Sequence, residues 1–206
     1  MMMRTMAKID PSLSKEDKLK RLSRALERYH EEGSELFDKK FEEAKAPVKH
    51  RALLLLNQRQ RSRHELKQRL LSLDFEEDIV DSVLEDFEHA KLLDDQMFAN
   101  EWVRQRHVAR GKSRAALNHE LKEKGVGRQQ REEALSQVSE DDEENVASAL
   151  ARKKARSIKK IPETRNDYDK ALRRIVGVLA RRGFGQSQSL HIARSALEQR
   201  LDELKE

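Results

Sequence analysis

Few residues in this chain of 206 have the types and spacing that catalysis or metal binding requires. The seven histidines show no H-E-x-x-H or other spacing that would place two ligands on one helical face, and there is no cysteine. Asp94 and Asp95 are paired carboxylates, but an aspartate just before a helix ordinarily caps the free N–H groups of the first turn. The G-x-G of "RRGFGQS" (181–187) follows a helix, which is typical of a C-cap and not of a phosphate loop. We therefore predict no enzyme, no catalytic residue, no metal ligand and no cofactor.

Charge is the chemical property that is organised along the sequence, with a net charge of +5. Lys and Arg outnumber Asp and Glu by seven to one in residues 47–73, nine to two in 102–131 and twelve to three in 147–182. The acids lead by eleven to one in 74–101 and seven to none in 132–146. Attraction between neighbouring helices explains part of this banding. The basic bands also predict a repeating surface suited to an extended polyanion or a periodic acidic partner.

A motif of one helix and the turn that ends it, which we call the helix-and-stop phrase, occurs three times. It predicts how the charged residues are positioned. It reads "SRHELKQRLLSLDF" at 62–75, "SRAALNHELKEKGV" at 113–126 and "ALRRIVGVLARRGF" at 171–184. Each copy is an amphipathic helix that ends in a left-handed residue, followed by an apolar residue that folds back on the last turn. Ser62 and Glu65 have the spacing of a capping box. The expected left-handed residues are Gly125, Gly183 and, in place of glycine, Asp74.

A leading helix before each phrase and another helix after it predict an all-α molecule of three tandem three-helix repeats. The repeats are expected at 47–93, 94–140 and 141–206, with leading helices over 52–57, 98–107 and 146–158. A loop over 159–169 would explain the wider spacing of the third phrase. Residues 1–46 are predicted to form a helical arm that ends at Pro47.

Each stop followed by a helix also has the outline of a DNA-reading helix-turn-helix. The second helix would be the reader, but residues 76–88 and the segment that ends at 140–144 are acidic and would repel phosphates. Readout of bases is therefore disfavoured, whereas binding of the DNA backbone or an acidic partner stays open. The candidate contacts are Arg59, Arg61, Arg63, Arg104, Arg106, Arg110, Lys112 and Arg114, with Arg152, Lys153 and Arg156 in the third repeat.

Residues 91–126 resemble the RecX family, whose members regulate the RecA recombinase. The likeness covers about residues 48–206 and is most specific in the middle repeat, while Asp74 in place of glycine and the 46-residue arm depart from the family pattern. The residues that carry it are Leu92, Leu93, Asp94, Asp95, Phe98, Ala99, Trp102, Arg104, Arg106, Gly111, Lys124, Gly125 and Val126.

The resemblance implies a curved, elongated molecule without enzymatic activity. Family members bind RecA, lie in the helical groove of its filament on DNA, and limit strand exchange and ATP hydrolysis in recombination, DNA repair and the SOS response. They also bind single- and double-stranded DNA. On this basis Phe98 and Trp102 are expected to build the core, and the basic face from Arg104 to Arg114 to meet the filament. A stand-alone DNA-binding protein or transcription regulator, and an interaction solenoid with another partner, are the alternatives.

The sequence also predicts a cytoplasmic location. The longest apolar run, "ALLLL" at 52–56, is too short to cross a membrane, and "MMMRTMAKID" lacks the apolar stretch of a signal peptide. The absence of cysteine suits a reducing compartment. An open array of three units leads us to expect a monomer.

Overall fold

The chain is all-α over the part that the computed structural model describes, which is Ser23 and residues 39–205. No strand occurs in that part, so the predicted fold class is confirmed. Most of the predicted arm lies outside the described residues. The helices are α1 (Lys39–Gln58), α2 (Arg63–Leu71), α3 (Glu77–His89), α4 (Asp95–Arg110), α5 (Arg114–Glu123), α6 (Arg128–Leu135), α7 (Glu140–Ala155), α8 (Arg165–Ala180) and α9 (Gln186–Glu203).

Each set of three consecutive helices packs around its own apolar core. Leu66, Leu70 and Leu84 are among the buried side chains of α1–α3, and Leu117 and Leu121 are among those of α4–α6. A third cluster joins α7, α8 and α9. In the described part of the chain, every extensive helix–helix contact joins two helices of the same set. The molecule is therefore an array of three-helix repeats, as the spacing predicts.

The prediction that a helical arm ends at Pro47 is wrong. Pro47 lies inside α1, which begins at Lys39. Proline usually disturbs a helix interior because it lacks an N–H and crowds the preceding turn, so tertiary contacts must hold this one. Lys45 supplies such a contact, since its buried ammonium donates to Glu42 (2.8 Å) and to Asp86 of α3 (3.1 Å). Lys45 thus anchors the start of α1 to the first repeat.

The predicted loop over 159–169 is wrong in its second half. The hydroxyl of Thr164 accepts a hydrogen bond from the N–H of Asp167 and caps α8, so residues 165–169 are helical. The caps Ser62, Ser113 and Thr164 therefore recur at intervals of 51 residues. The third phrase is displaced because α8 has 16 residues where α5 has 10.

The leading helices are longer or shifted compared with their predicted bounds. α4 begins at Asp95, three residues earlier than expected. α7 spans Glu140–Ala155 in place of 146–158, because Ser139 and Asp142 form a reciprocal capping box at its start.

Neighbouring repeats meet at a joint. There, the turn that ends the middle helix of the later repeat contacts the residues that begin the middle helix of the earlier repeat. At the first joint, between repeats one and two, the hydroxyl of Ser62 donates to the carbonyl of Lys124 (2.6 Å), the residue before a left-handed glycine. At the second joint, between repeats two and three, the N–H of Ser113 donates to the carbonyl of Arg182 (3.0 Å), which also precedes a left-handed glycine. Both joints thus place the carbonyl before a left-handed glycine against the serine that caps the preceding middle helix, although the hydroxyl donates at the first joint and the backbone N–H at the second.

Each joint also receives a carboxylate from the leading helix of the later repeat. Asp95 accepts a hydrogen bond from the N–H of Arg63 (2.7 Å), and Glu143 accepts one from the N–H of Arg114 (2.9 Å). The first N–H groups of a helix have no partner within it, so these carboxylates cap α2 and α5 from the neighbouring repeat. Burial raises the pKa of the Asp95 carboxyl, and the N–H of Arg63 opposes that rise. Asp94 caps its own helix α4, as predicted.

Glycine is required at the two stops that enter a joint. Gly125 has φ +73°, and a Cβ placed there would lie 2.3 Å from the Cβ of His64. Gly183 has φ +87°, and its Cβ would lie 2.5 Å from that of Ala116. Asp74 has the same left-handed backbone, with φ 62°, but no repeat precedes its stop among the described residues. This position at the end of the array explains why a side chain is tolerated there.

We expect Gly125→Ala to lower the free energy of unfolding by about 2–5 kcal/mol, because a left-handed alanine is strained and its Cβ overlaps His64. Asp74→Ala is the matched control, since it places alanine in the same backbone conformation away from any joint. It should cost only about 1 kcal/mol. Urea denaturation of both variants measures the difference, and equal losses would contradict the requirement for glycine at the joint.

Glu65 connects the charged groups of the first joint. Its carboxylate accepts hydrogen bonds from Lys124 (2.6 Å) and Arg59 (3.0 Å). Burial alone would raise the pKa of Glu65, but the hydrogen bonds from Arg59 and Lys124 outweigh it and hold this pKa at about 2. Only half of the predicted capping box forms, because the hydroxyl of Ser62 accepts the N–H of Glu65 while the Glu65 side chain binds across the joint.

The low pKa of Glu65 predicts a pH-dependent contribution to stability. A folded-state pKa of about 2, below the usual 4.5, gives stabilisation that is complete above pH 4.5 and is lost as the pH falls through 2. Glu65→Gln should therefore lower the free energy of unfolding by about 2–3 kcal/mol at pH 7 and by much less at pH 3. Denaturation at both pH values tests this, with exposed Glu85→Gln as the control. A pH-independent difference would show that the Glu65 charge is not responsible.

Candidate functional site

Trp102 lies at the centre of a polar cluster on the second repeat. Its indole N–H donates to Glu120 (3.0 Å), while the Arg106 guanidinium lies 4.0 Å and the Lys124 ammonium 4.3 Å from its ring centroid. Cations at this distance are attracted by the ring electrons. Phe98, whose ring centroid is 5.6 Å away, is buried as predicted. Trp102 is only half-buried, so one part of its ring packs against the second core and another part is exposed at the surface.

Many of the cations predicted to bind a partner in the first two repeats are engaged within the molecule. Intramolecular pairing neutralises their charge, so the basic bands are weaker than a count of residues indicates. Arg59 pairs with Glu65, Arg63 with Glu88, Arg104 with Glu101 and Lys112 with Glu120, Arg106 lies between Glu120 and Trp102, and Arg61 donates to the carbonyl of Leu55.

The remaining candidates differ in position. Arg110 is exposed at the end of α4, and it forms no ion pair within the described residues. The same holds for Arg152, Lys153 and Arg156, which lie at the end of α7. Arg114 is half-buried at the start of α5, where its backbone N–H binds Glu143.

Two arginines that the sequence analysis did not single out lie beside Arg110. The Nε of Arg182 donates to the Arg110 carbonyl (3.1 Å), and exposed Arg181 directly precedes it. Arg114 follows Ser113, whose N–H binds the Arg182 carbonyl. We call Arg110, Arg114, Arg181 and Arg182 the joint arginines, because all four surround the second joint.

The two joints differ in charge although their backbones match. Alignment of the repeats places Arg110 where the first joint has Arg59, and Arg182 where it has Lys124. Ala116 takes the place of Glu65, the carboxylate that neutralises the first joint. The second joint therefore keeps a positive charge that an anion from outside could balance. Comparing the repeats position by position could have identified Arg182 from the sequence.

The other residues that carry the family resemblance pack in a core or end a helix, with Leu92 as the exception. Ala99 is buried in the second core, and Gly111 ends α4 with φ +59°. Leu93 is buried in the first core, whereas Leu92 is exposed. The motif thus includes an apolar side chain that packing does not explain.

The described residues offer neither a metal site nor a membrane span. In residues 39–205, no group of three or more His, Asp or Glu side chains could hold a metal ion. Across the same part of the chain, no helix is long and apolar enough to cross a membrane.

Comparison with known proteins identifies the family. Residues 49–87 match the first three-helix domain of RecX and residues 94–135 match the second. The Regulatory protein RecX of Corynebacterium efficiens is 51% identical over 95% of this chain and 96% of its own length. Its counterpart in Streptomyces coelicolor is 37% identical over 71% of this chain and 76% of its own length.

Solved structures give the same fold. The crystal structure of RecX from Lactobacillus salivarius has a TM-score of 0.64 and 22% identity, and covers 76% of this chain and 98% of that one. Another crystal structure, of a regulatory protein RecX, has a TM-score of 0.63 and 19% identity, with 91% and 81% coverage. The chain belongs to the RecX family of regulatory proteins.

Proposed function

We propose that this protein is a negative regulator of the RecA recombinase. It binds in the groove of the RecA–DNA filament, limits strand exchange and ATP hydrolysis, and so modulates recombination and DNA repair. The proposal assigns the protein to the cytoplasm, where the filament forms, and assigns it no catalytic step. Membership of a family of regulatory proteins supports the role.

The observation that carries the proposal is the excess positive charge of the second joint, where Glu143 binds a backbone N–H and the joint arginines form no ion pair among the described residues. Arg110 and Arg182 stand where the first joint has a cation pair bridged by Glu65, but Ala116 supplies no carboxylate between them. A DNA phosphate is an anion of suitable charge for that place, and guanidinium groups bind phosphate oxygens through paired hydrogen bonds. Such contacts recognise the backbone of single- or double-stranded DNA without reading bases.

A filament partner also suits the repeat architecture. A helical filament presents the same surface at every protomer, and an array of repeats can contact several copies at once. Weak contacts then add through effective concentration. The acidic α3, which exposes Glu77, Asp78 and Glu85, disfavours the alternative of a regulator that reads DNA bases.

The ATPase activity of the recombinase on single-stranded DNA tests the proposal. We expect strong inhibition when this protein is present at well below one copy per recombinase protomer, because one regulator affects many protomers of a filament. No inhibition at excess would reject the proposal. Sequence-selective DNA binding without any effect on the recombinase would instead support a stand-alone DNA-binding protein.

Charge reversal tests the joint arginines. Arg110→Glu combined with Arg181→Glu should weaken single-stranded DNA binding by about tenfold or more and reduce its salt dependence, because phosphate contacts are lost. Both side chains are exposed and form no ion pair among the described residues, so the fold should persist. Arg69→Glu with Arg194→Glu makes the same change in net charge at exposed sites on α2 and α9. Equal weakening in both double variants would show that DNA binding depends on net charge and not on the position of the joint arginines.

A further inference from the structure

Leu92 and Met97 form an exposed apolar pair where the first repeat meets the second. Their exposed fractions are 53% and 58%. Both side chains line a small cleft of about 60 Å³ whose other lining residues include Leu56, Lys91, Asp94 and Phe98. The pair therefore adjoins a concave surface into which a side chain could project.

Leu92 is not used for packing, unlike the equivalent residues of other stops. Lys91 is left-handed, with φ 58°, and ends α3. An apolar residue directly after such a stop usually packs on the last turn of its helix. Val126 and Phe184 do so and are 2% and 5% exposed. Next to Leu92, Leu93 enters the core instead, so about half of the Leu92 side chain stays open to solvent.

The apolar pair continues into a longer groove along α4. A second cleft, of about 390 Å³, is lined by Arg59, Gln60, Trp102 and Gln105 and shares Gln60 and Phe98 with the first. Positions 97, 98, 101, 102 and 105 recur at helical spacing, so they lie on one face of α4. We call this surface, from Leu92 to Gln105, the α4 groove.

The composition of the α4 groove favours a protein occupant over a nucleic acid. Trp, Met and Arg are enriched in the buried centres of protein interfaces, where a few aromatic and apolar anchors carry most of the affinity. A nucleobase would have to stack on Trp102, but Arg106 and Lys124 already lie over that ring. Of the cations that line the groove, Arg59 is paired with Glu65 and Arg61 donates to the Leu55 carbonyl. Among the described lining residues only Lys91 stays available, which is little positive charge for a nucleic-acid backbone.

We infer that the α4 groove binds a linear segment of the protein that this chain regulates. An apolar anchor of that segment packs on Leu92 and Met97, and a carboxylate close to the anchor pairs with Lys91, for which no ion pair occurs among the described residues. The inference rests on the proposed function for the identity of the partner. It separates two tasks, with protein recognition in the α4 groove and phosphate binding at the joint arginines.

Leu92→Ser combined with Met97→Ser tests the groove. Half-inhibitory concentrations in the recombinase ATPase assay should rise about tenfold or more, as expected for the loss of apolar anchors. Affinity for single-stranded DNA, measured separately by fluorescence anisotropy, should change less than about twofold. Leu53→Ser with Val108→Ser removes two exposed apolar side chains elsewhere and should inhibit like the wild type. Lys91→Glu should also weaken inhibition, although it leaves the apolar surface of Leu92 and Met97 intact.

The outcomes distinguish this inference from the proposed function. If the wild type does not inhibit, the proposed function is rejected and the partner assigned to the groove is rejected with it. If the wild type inhibits and both the Leu92/Met97 double variant and Lys91→Glu inhibit equally well, only the groove assignment is overturned. If the double variant loses DNA affinity as much as inhibition, the groove binds nucleic acid and the inference is wrong. Circular dichroism and urea midpoints show whether each variant is folded.

Discussion

The contact on which the rest of the structure depends is the joint between a left-handed helix stop and the start of the preceding middle helix. A three-helix repeat has a small core, and the open N–H groups of its middle helix need partners outside the repeat. At the first joint, the Asp95 carboxylate accepts the N–H of Arg63, and the Lys124 carbonyl accepts the hydroxyl of the capping residue Ser62. The close approach leaves no room for a Cβ at Gly125, so the glycine is a consequence of the joint and not only of the turn.

The equivalent contact at each joint brings together cations, and the two joints differ in how that charge is balanced. In the first joint Glu65 lies between Arg59 and Lys124, which makes this joint an internal electrostatic contact. The second joint has the cations without the bridging carboxylate, since Ala116 replaces Glu65. The replacement of Glu65 by Ala116 thus removes the carboxylate that balances the cations, while the helix stop still contacts the capping serine of the preceding middle helix.

The features that the sequence predicted are those that depend on local spacing. The stops at Asp74, Gly125 and Gly183 could be located because left-handed residues and folded-back apolar residues have a recognisable order. The extension of α1 through Pro47 could not, because contacts with α3 outweigh the local disfavour of proline. Likewise, no local pattern indicates that Glu65 binds Lys124, which is 59 positions away. The number of cations in the sequence overstates the charge of the basic face for the same reason. Ion pairs between residues far apart in the sequence determine which cations stay available.

Helix α4 relates the two surfaces assigned to partners. Met97 lies in its first turn, Leu92 lies three residues before it begins, and Arg110 lies at its end. With 16 residues, α4 has a length of about 24 Å. It is held at both ends, by the Asp94 cap and by left-handed Gly111, so this separation is fixed by the fold. A partner that engages both surfaces must therefore present an apolar anchor and a phosphate at a comparable distance, as protein assembled on DNA can do and naked DNA cannot.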